Sequence, residues 1–424
     1  MTQKSGRRYW SFYWPLALTG LVSLIGNQIQ NATLARYPNA TAEIATFALA
    51  AGVFHLFDAA LIFIPQMTVV LGKSPTGSRV CRRFVLLVSA ILTVPVILTA
   101  LPPVGAPILR VAFGIEGETL AAVMLYVTLL SPNIVLAGLR NYYVGLVIQA
   151  ERTRLITLFN VLYLGVVLAV LLFGYHAGWR AVITLAAAQG VASVVHLAAL
   201  YAAAQRLGRL PLRDDGSRIG YAEVFAFFWP VALTSVMFSL SRPIIYSFLG
   251  RLDDPQPVIA AMRVGFDFAM IFHNLLNQFR HVFVTFGAED LAGVRRFMTA
   301  VTGVVVGGMV AVVATPVSTF ILGQLIGVGA EVLTMTRQVL LVMCLLPVVV
   351  AFRNYFHGVA MVRRHTGPMG AGAVGRNAAT YLVSLGLFSM GWLDHATAAA
   401  TLVAGFLAES LVVVFGTRKV RRRR

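Results

Sequence analysis

Charge is scarce in this chain: Asp, Glu, Lys and Arg make up 12% of its 424 residues, while 58% are hydrophobic and the mean hydropathy is +0.80. A water-soluble globule has too little interior for that much apolar side chain, so a soluble fold is excluded and an integral membrane protein is expected. Acidic residues are the rarer half, 16 against 34 Lys and Arg, giving a formal charge of +18. In a soluble protein such an excess would suggest nucleic acid, but that reading needs the cations on one exposed face. Here they lie mostly between apolar runs, so no nucleic-acid partner is expected. Cysteine occurs only twice, with Cys81 in a basic loop and Cys344 in an apolar segment. That excludes a disulfide framework and any zinc or redox spacing, and no metal or cofactor is expected. A phosphate-binding loop is also missing: "LGKSPTGS" at 71–78 holds Gly-Lys-Ser without the earlier glycine and has no βα context. ATP hydrolysis, and enzyme chemistry generally, are therefore not expected.

What the sequence does hold is a succession of apolar runs separated by charged or Pro/Gly-rich breaks. They predict twelve transmembrane helices at 10–34, 42–71, 84–101, 120–148, 155–173, 181–204, 225–249, 258–286, 297–321, 339–362, 373–390 and 396–416. The stretch "APILRVAFGIEG" between the third and fourth predicts a short interfacial helix. Three cations precede the first run, which is too long for a cleaved signal and reads as an uncleaved span. Of the 34 Lys and Arg, 23 fall in the N-terminus, alternate loops and the C-terminus. Five lie on the opposite side: Arg36, Arg110, Arg180, Arg251 and Arg337. The imbalance predicts both termini on the cytoplasmic side of the inner or plasma membrane. The tail "RKVRRRR" then reads as a stop-transfer and anionic-lipid contact.

The two halves repeat one another. "FYWPLALT" at 12–19 returns as "FFWPVALT" at 227–234, six of eight positions identical at an offset of 215. "LARYPNA" and "LGRLDDP" align Arg36 with Arg251, and "RNYYVGLVIQAERT" from Arg140 returns as "RNYFHGVAMVRRHT" from Arg353, at an offset of 213. Six spans per copy make these parallel repeats: an N-lobe at 1–206, a linker at 207–220 and a C-lobe at 221–424. Two such lobes are suited to alternating access around a site at their interface. The competing reading is a duplicated membrane scaffold without transport.

Six arginines fall within spans: Arg140, Arg242, Arg263, Arg280, Arg353 and Arg376. A charge at the bilayer centre costs at least ~2.5 kcal/mol, so such groups face the bundle interior, pair up or line water. Counting helical rise from flanking loop charges puts Arg140 and Arg353 ~15 to 18 Å, and Arg242 ~14 Å, from a membrane surface. In span eight, Arg263, Asp267, Asn274, Gln278 and His281 share one helical face with Asn277 beside it, and span one carries Ser23, Asn27, Gln30 and Asn31 likewise. Candidate substrate-binding residues are therefore Arg140, Arg242, Arg353, Arg280, Arg263, Asn27, Asn31, Asn274 and Gln278. Asp58, His55, Asp267 and Glu409 are candidates for ion coupling. Duller readings stand beside these: Arg263 and Asp267 neutralise one another, Arg376 and Glu409 form a structural ion pair, and Asp58 answers Arg140. Pro243, beside Arg242 in "SLSRPII", frees the carbonyl of Ser239 and predicts a kinked, cavity-lining helix.

"FFWPVALT" followed by "SRPII", then "LLPVVVAFRNYFHG" and "AGFLAES", resemble segments of the progressive ankylosis protein family. The similarity extends over nearly the whole chain and is strongest in its second half. Ser241, Arg242, Pro243, Arg280, Arg353, Gly358 and Glu409 match family positions. Through that family the chain resembles the wider superfamily of multidrug, oligosaccharidyl-lipid and polysaccharide (MOP) transporters. The resemblance implies an all-α, V-shaped MATE-like fold and export of small multivalent anions such as pyrophosphate, nucleoside triphosphate or citrate. Where the animal members carry a long acidic tail, this chain carries a basic one.

The residues favour an anion independently of that likeness. A guanidinium matches carboxylate or phosphate oxygens bidentately and keeps its charge at depth. With the interior negative, each expelled negative charge gains ~2.3 kcal/mol per 100 mV, so a multivalent anion can leave by uniport. The expectation is a monomeric exporter of a small anion, embedded in lipid, in which Arg242 and Arg353 of one lobe and Arg140 of the other clamp the cargo. A flippase for a pyrophosphate-linked lipid is the alternative, and a cation-drug antiporter fits less well because span one has no acidic residue.

Overall fold

The computed structural model describes residues 3–150, 152–206, 219–287, 289–362 and 367–421, and these contain no strand. The first half holds α1 (Gln3–Leu34), α2 (Ala40–Asp58), a 3-10 turn (Ala59–Phe63), α3 (Ile64–Leu71), α4 (Pro75–Ala100), α5 (Pro102–Phe113), α6 (Gly117–Leu130), α7 (Pro132–Gln149), α8 (Thr153–His176) and α9 (Ala181–Arg206). The second holds α10 (Tyr221–Leu249), α11 (Pro255–Asn277), α12 (Phe279–Phe286), α13 (Leu291–Ala314), α14 (Pro316–Thr319) with a π turn (Phe320–Ile326), α15 (Ala330–Met343), α16 (Leu346–Val362), α17 (Gly367–Ser389) and α18 (His395–Arg421).

Local chemistry sets many of these boundaries. Pro75, Pro102, Pro132, Pro255 and Pro316 open their helices, where a missing N–H costs nothing. Gly114 and Gly327 close α5 and the π turn at φ 66° and 89°, while Gly178 and Gly391 follow α8 and α17 at φ 70°. Each is a left-handed position suited to glycine, and each pair keeps the offset of 213 seen in the repeated segments. The breaks repeat as well: α3 at Ile64–Leu71 corresponds to α12 at Phe279–Phe286, at an offset of 215. The short helix expected between spans three and four is α5. Its counterpart, α14 with its π turn, starts at Pro316 where α5 starts at Pro102, so it begins inside the run 297–321 assigned to one continuous span and extends beyond it to Ile326.

Among the described residues ten helical stretches are long and apolar enough to cross a bilayer, and they coincide with ten of the twelve apolar runs. The long helices α1 and α17 occupy the first and eleventh. This is a multi-pass membrane protein. Only 11% of the α8 stretch is buried, against 67% for α11. The apolar surface of α8 is therefore matched to lipid, and α11 to packing.

The chain forms two compact units, one of 1–45 with 244–424 and one of 46–243. These differ from the sequence lobes at 1–206 and 221–424, because α1 packs on the elements of the second half. Tyr13 stacks on Phe279 at 5.2 Å and donates to the Leu275 carbonyl at 3.0 Å, and Tyr9 donates to Asp290 Oδ2 at 2.8 Å. Along α10, Phe228 meets Phe84 in one unit, whereas Phe248 meets Tyr381 and Phe388 in the other. The division falls at Pro243, through which α10 continues as one helix.

Asp394 caps α18: its Oδ1 accepts from the Thr397 N–H at 2.7 Å, and Thr397 Oγ1 accepts from the Asp394 N–H at 2.7 Å. Burial opposes its charge, but these hydrogen bonds outweigh that and hold its carboxyl below the ordinary carboxylate range. A depressed folded-state value means stability that is full above the ordinary pKa and lost as the pH falls through the folded value. Asp394→Ala should cost about 1 kcal/mol near neutral pH. Melting curves of the two proteins in detergent should converge on acidification.

Candidate functional site

The RNY segment that repeats in the sequence organises both units. In α7 the Asn141 amide donates to the Leu61 carbonyl at 2.8 Å, and in α16 the Asn354 amide donates to the Leu276 carbonyl, also at 2.8 Å. Each carbonyl belongs to the break in the preceding helix, so the motif's asparagine pins an interrupted helix at its interruption. Broken membrane helices at matching places in two repeats are where transporter folds build polar sites.

In the unit of 1–45 and 244–424, the motif's arginine enters a closed charge cluster. Glu409 Oε2 lies 2.7 Å from Arg376 Nη1 and 3.5 Å from Arg353 Nη1, and Glu409 Oε1 lies 3.6 Å from His357 Nε2. Arg353 Nη2 also donates to Asn277 Oδ1 at 2.9 Å. The Phe406 ring sits 5.2 Å from both guanidinium carbons. Arg353, Arg376 and Glu409 are 3%, 2% and 3% exposed. The ion pair expected between Arg376 and Glu409 is present. Arg353, expected as an unpaired cavity cation, is instead walled in and shares the same carboxylate. Two guanidiniums on one carboxylate explain the burial of Glu409 as a counterion.

The polar stripe expected along span eight is divided. Arg263 Nε donates to Asn31 Oδ1 at 2.9 Å, Asn31 Nδ2 donates to Asp267 Oδ2 at 3.3 Å, and Arg263 Nη2 is 3.8 Å from Asp267 Oδ2. All three are buried. This triad joins α1 to α11, so Arg263, Asp267 and Asn31 pack rather than line water. The helical register is then broken at Gln278, between α11 and α12, and it is Asn277 that meets Arg353. Asn27, Asn274 and Gln278 are half-buried, as is Arg242 on α10. The side chains of Arg280, His281 and Ser23 lie outside the described residues.

In the unit of 46–243 the motif's arginine meets different neighbours. Arg140 is half-buried, and its guanidinium carbon lies 5.9 Å from the Tyr163 ring centre. The Tyr163 ring is 5.6 Å from that of His196, which is 4% exposed. Among the described residues neither ring nitrogen of His196 has a hydrogen-bond partner, and Arg140 makes no ion pair. Asp58, expected to answer Arg140, has instead His55 Nδ1 at 3.7 Å from its Oδ2.

These clusters occupy equivalent places. Arg140, Tyr163 and His196 precede Arg353, Arg376 and Glu409 at the same offset of 213, and both sets come together in space. Sequence reasoning found the first pair and missed the others, along with Asn354 and His357. The signal lay in "AGW" at 177–179 and "MGW" at 390–392, which hold that offset through the last two helices of each half.

No protein-family model and no curated protein matches the chain. Solved structures do. An inward-facing multidrug resistance MATE family transporter of the MOP superfamily is similar with a TM-score of 0.70, at 15% identity and 95% coverage of both chains. The lipid II flippase MurJ in an inward closed conformation is similar with a TM-score of 0.71, at 12% identity over 95% of this chain and 87% of that one. The eukaryotic MATE transporter AtDTX14 is similar with a TM-score of 0.66, at 16% identity and 99% coverage of both. The fold is that of the MOP superfamily.

Proposed function

We propose that this protein is an alternating-access transporter that exports a small multivalent anion, of the pyrophosphate, nucleoside triphosphate or citrate kind, across the inner or plasma membrane. Arg140 carries the reading: a half-buried guanidinium on an apolar helix, without an ion pair among the described residues. A cation held at such depth is costly unless something completes its charge. An anionic cargo would complete it, with the guanidinium fork matching its oxygens. Arg242, half-buried in the same compact unit, is the second proposed contact. The membrane potential suffices to drive a multivalent anion outward.

The test is efflux of labelled pyrophosphate, ATP and citrate from proteoliposomes. Arg140→Gln should lower transport at least ~10-fold, the order expected for a charge-assisted contact of ~1.5 kcal/mol or more, with an unchanged melting temperature. Efflux at the unaltered rate would refute the assignment. Arg353→Gln should instead lower the melting temperature, since Arg353 is held by Glu409. The likeness to a lipid II flippase supports one alternative, turnover of a pyrophosphate-linked lipid. A lipid-reorientation assay separates the two, because a soluble-anion carrier leaves lipid asymmetry untouched.

A further inference from the structure

Resting on the anion reading above, we infer that Arg140, Tyr163 and His196 form a seat for one carboxylate or phosphate group of the cargo. The bound group takes the place that the Glu409 carboxylate fills in the other unit. The internal duplication supplies the argument. At three equivalent positions one copy holds Arg353, Arg376 and Glu409, and the other holds Arg140, Tyr163 and His196. In the first copy the acceptor is built in: Glu409 lies within 3.5 Å of both guanidiniums and the cluster is closed. In the second, the carboxylate position is a histidine and the second arginine a tyrosine, while the first arginine is retained. What remains is a cation and a buried imidazole, each beside the same aromatic ring.

The donors left over are specific. His196 is 4% exposed with both ring nitrogens unsatisfied among the described residues, an arrangement that costs free energy unless a partner arrives. A neutral imidazole donates one N–H, the Arg140 guanidinium donates in a planar fork, and an anionic oxygen group accepts from both. Tyr163 neighbours both, with its ring centre 5.9 Å from the guanidinium carbon and 5.6 Å from the imidazole centre. Asp58 stands 3.7 Å from His55, is 24% exposed and makes no ion pair with Arg140, so it does not close the seat as Glu409 does. A phosphate or carboxylate group fits this donor set, and a cation does not.

The decisive variant writes the other copy's residue into this one. His196→Glu places a tethered carboxylate beside Arg140, which should occupy the seat permanently. Purified full-length protein in vesicles is assayed for binding and efflux of labelled inorganic pyrophosphate and citrate, with a polyprenyl pyrophosphate in a parallel arm. Expected are a loss of at least ~10-fold in anion affinity for His196→Glu and for Arg140→Gln. His196→Gln, which keeps a donor without a charge, should lose less. A melting temperature for His196→Glu at or above that of the unaltered protein marks occupation rather than damage. If His196→Glu folds and binds anions undiminished, the seat is refuted while anion transport stands. If it does not fold, undiminished binding by both Arg140→Gln and His196→Gln refutes the seat. If only the polyprenyl pyrophosphate is turned over, and Arg140→Gln and His196→Glu abolish it, the seat holds a lipid headgroup. If the unaltered protein moves none of the three probes, the transport reading fails and the seat with it.

Discussion

Replacing Glu409 with Leu should abolish the folded protein or lower its melting temperature more than the loss of any other single ion-pairing side chain. The carboxylate is 3% exposed and lies 2.7 Å from Arg376 and 3.5 Å from Arg353, each as deeply buried. Removing one partner of a buried pair strands a charge, at about 3 to 5 kcal/mol. Here two guanidiniums are stranded at once, and Glu409 is their shared anion among the described residues. Glu409→Gln keeps an acceptor but loses the charge, so it should fall between Leu and the unaltered protein. The other unit suggests the rescue, because its equivalent positions hold Tyr163 and His196 around a lone Arg140. Arg376→Tyr combined with Glu409→His removes one cation together with the anion, and should recover part of the loss. Thermal melting and monodisperse yield from detergent extracts report both effects. A melting temperature unaltered by Glu409→Leu would show that the cluster does not hold the unit together.

Much of this architecture is legible in the sequence alone, and the reasons are local. Apolar runs mark spans because backbone polar groups must be satisfied within the bilayer, and prolines and glycines mark their ends. The repeated RNY segment was legible as a motif. Its asparagine's task was not, because the Leu61 and Leu276 carbonyls are distant in sequence from Asn141 and Asn354. Helical spacing placed Arg263 through His281 on one face by assuming an unbroken helix, and the break at Gln278 ended that register. The pairing of Arg353 with Glu409 depends on how α16 meets α18, and the adherence of α1 to the second-half unit depends on Asn31, Tyr9 and Tyr13 finding partners there. His196 carries no local mark: it is one of several polar residues in an apolar helix, visible only when the repeat offset is carried to the end of each half.

That offset also predicts a matched pair of glycine effects. The RNY segments end on Gly145 and Gly358, each at the fifth position after its arginine. A Cβ on Gly358 would sit 2.6 Å from the Phe283 Cβ, and one on Gly145 would sit 2.6 Å from the Thr68 Cβ and 2.9 Å from the Pro65 carbonyl oxygen. Thr68 and Phe283 occupy equivalent positions in α3 and α12, so the same contact is built twice. In both cases the obstructing atom is fixed to backbone, and only separation of the helices relieves the clash. Replacing a mid-helix glycine with alanine ordinarily gains up to ~1 kcal/mol, whereas overpacking costs about 1 to 3 kcal/mol. The sign of the effect therefore reports the close approach. Gly358→Ala and Gly145→Ala should both lower the melting temperature, while Gly307→Ala, which meets nothing within 4 Å, should raise it or leave it unchanged. Phe283→Gly removes that Cβ together with the ring, so Phe283→Gly with Gly358→Ala should cost less than the sum of the two single changes. A displaced α16 would also draw Asn354 from the Leu276 carbonyl and Arg353 from Glu409. Gly358→Ala should therefore leave less of the Glu409→Leu penalty to be lost, and a melting temperature for the double variant below the additive value would contradict this coupling.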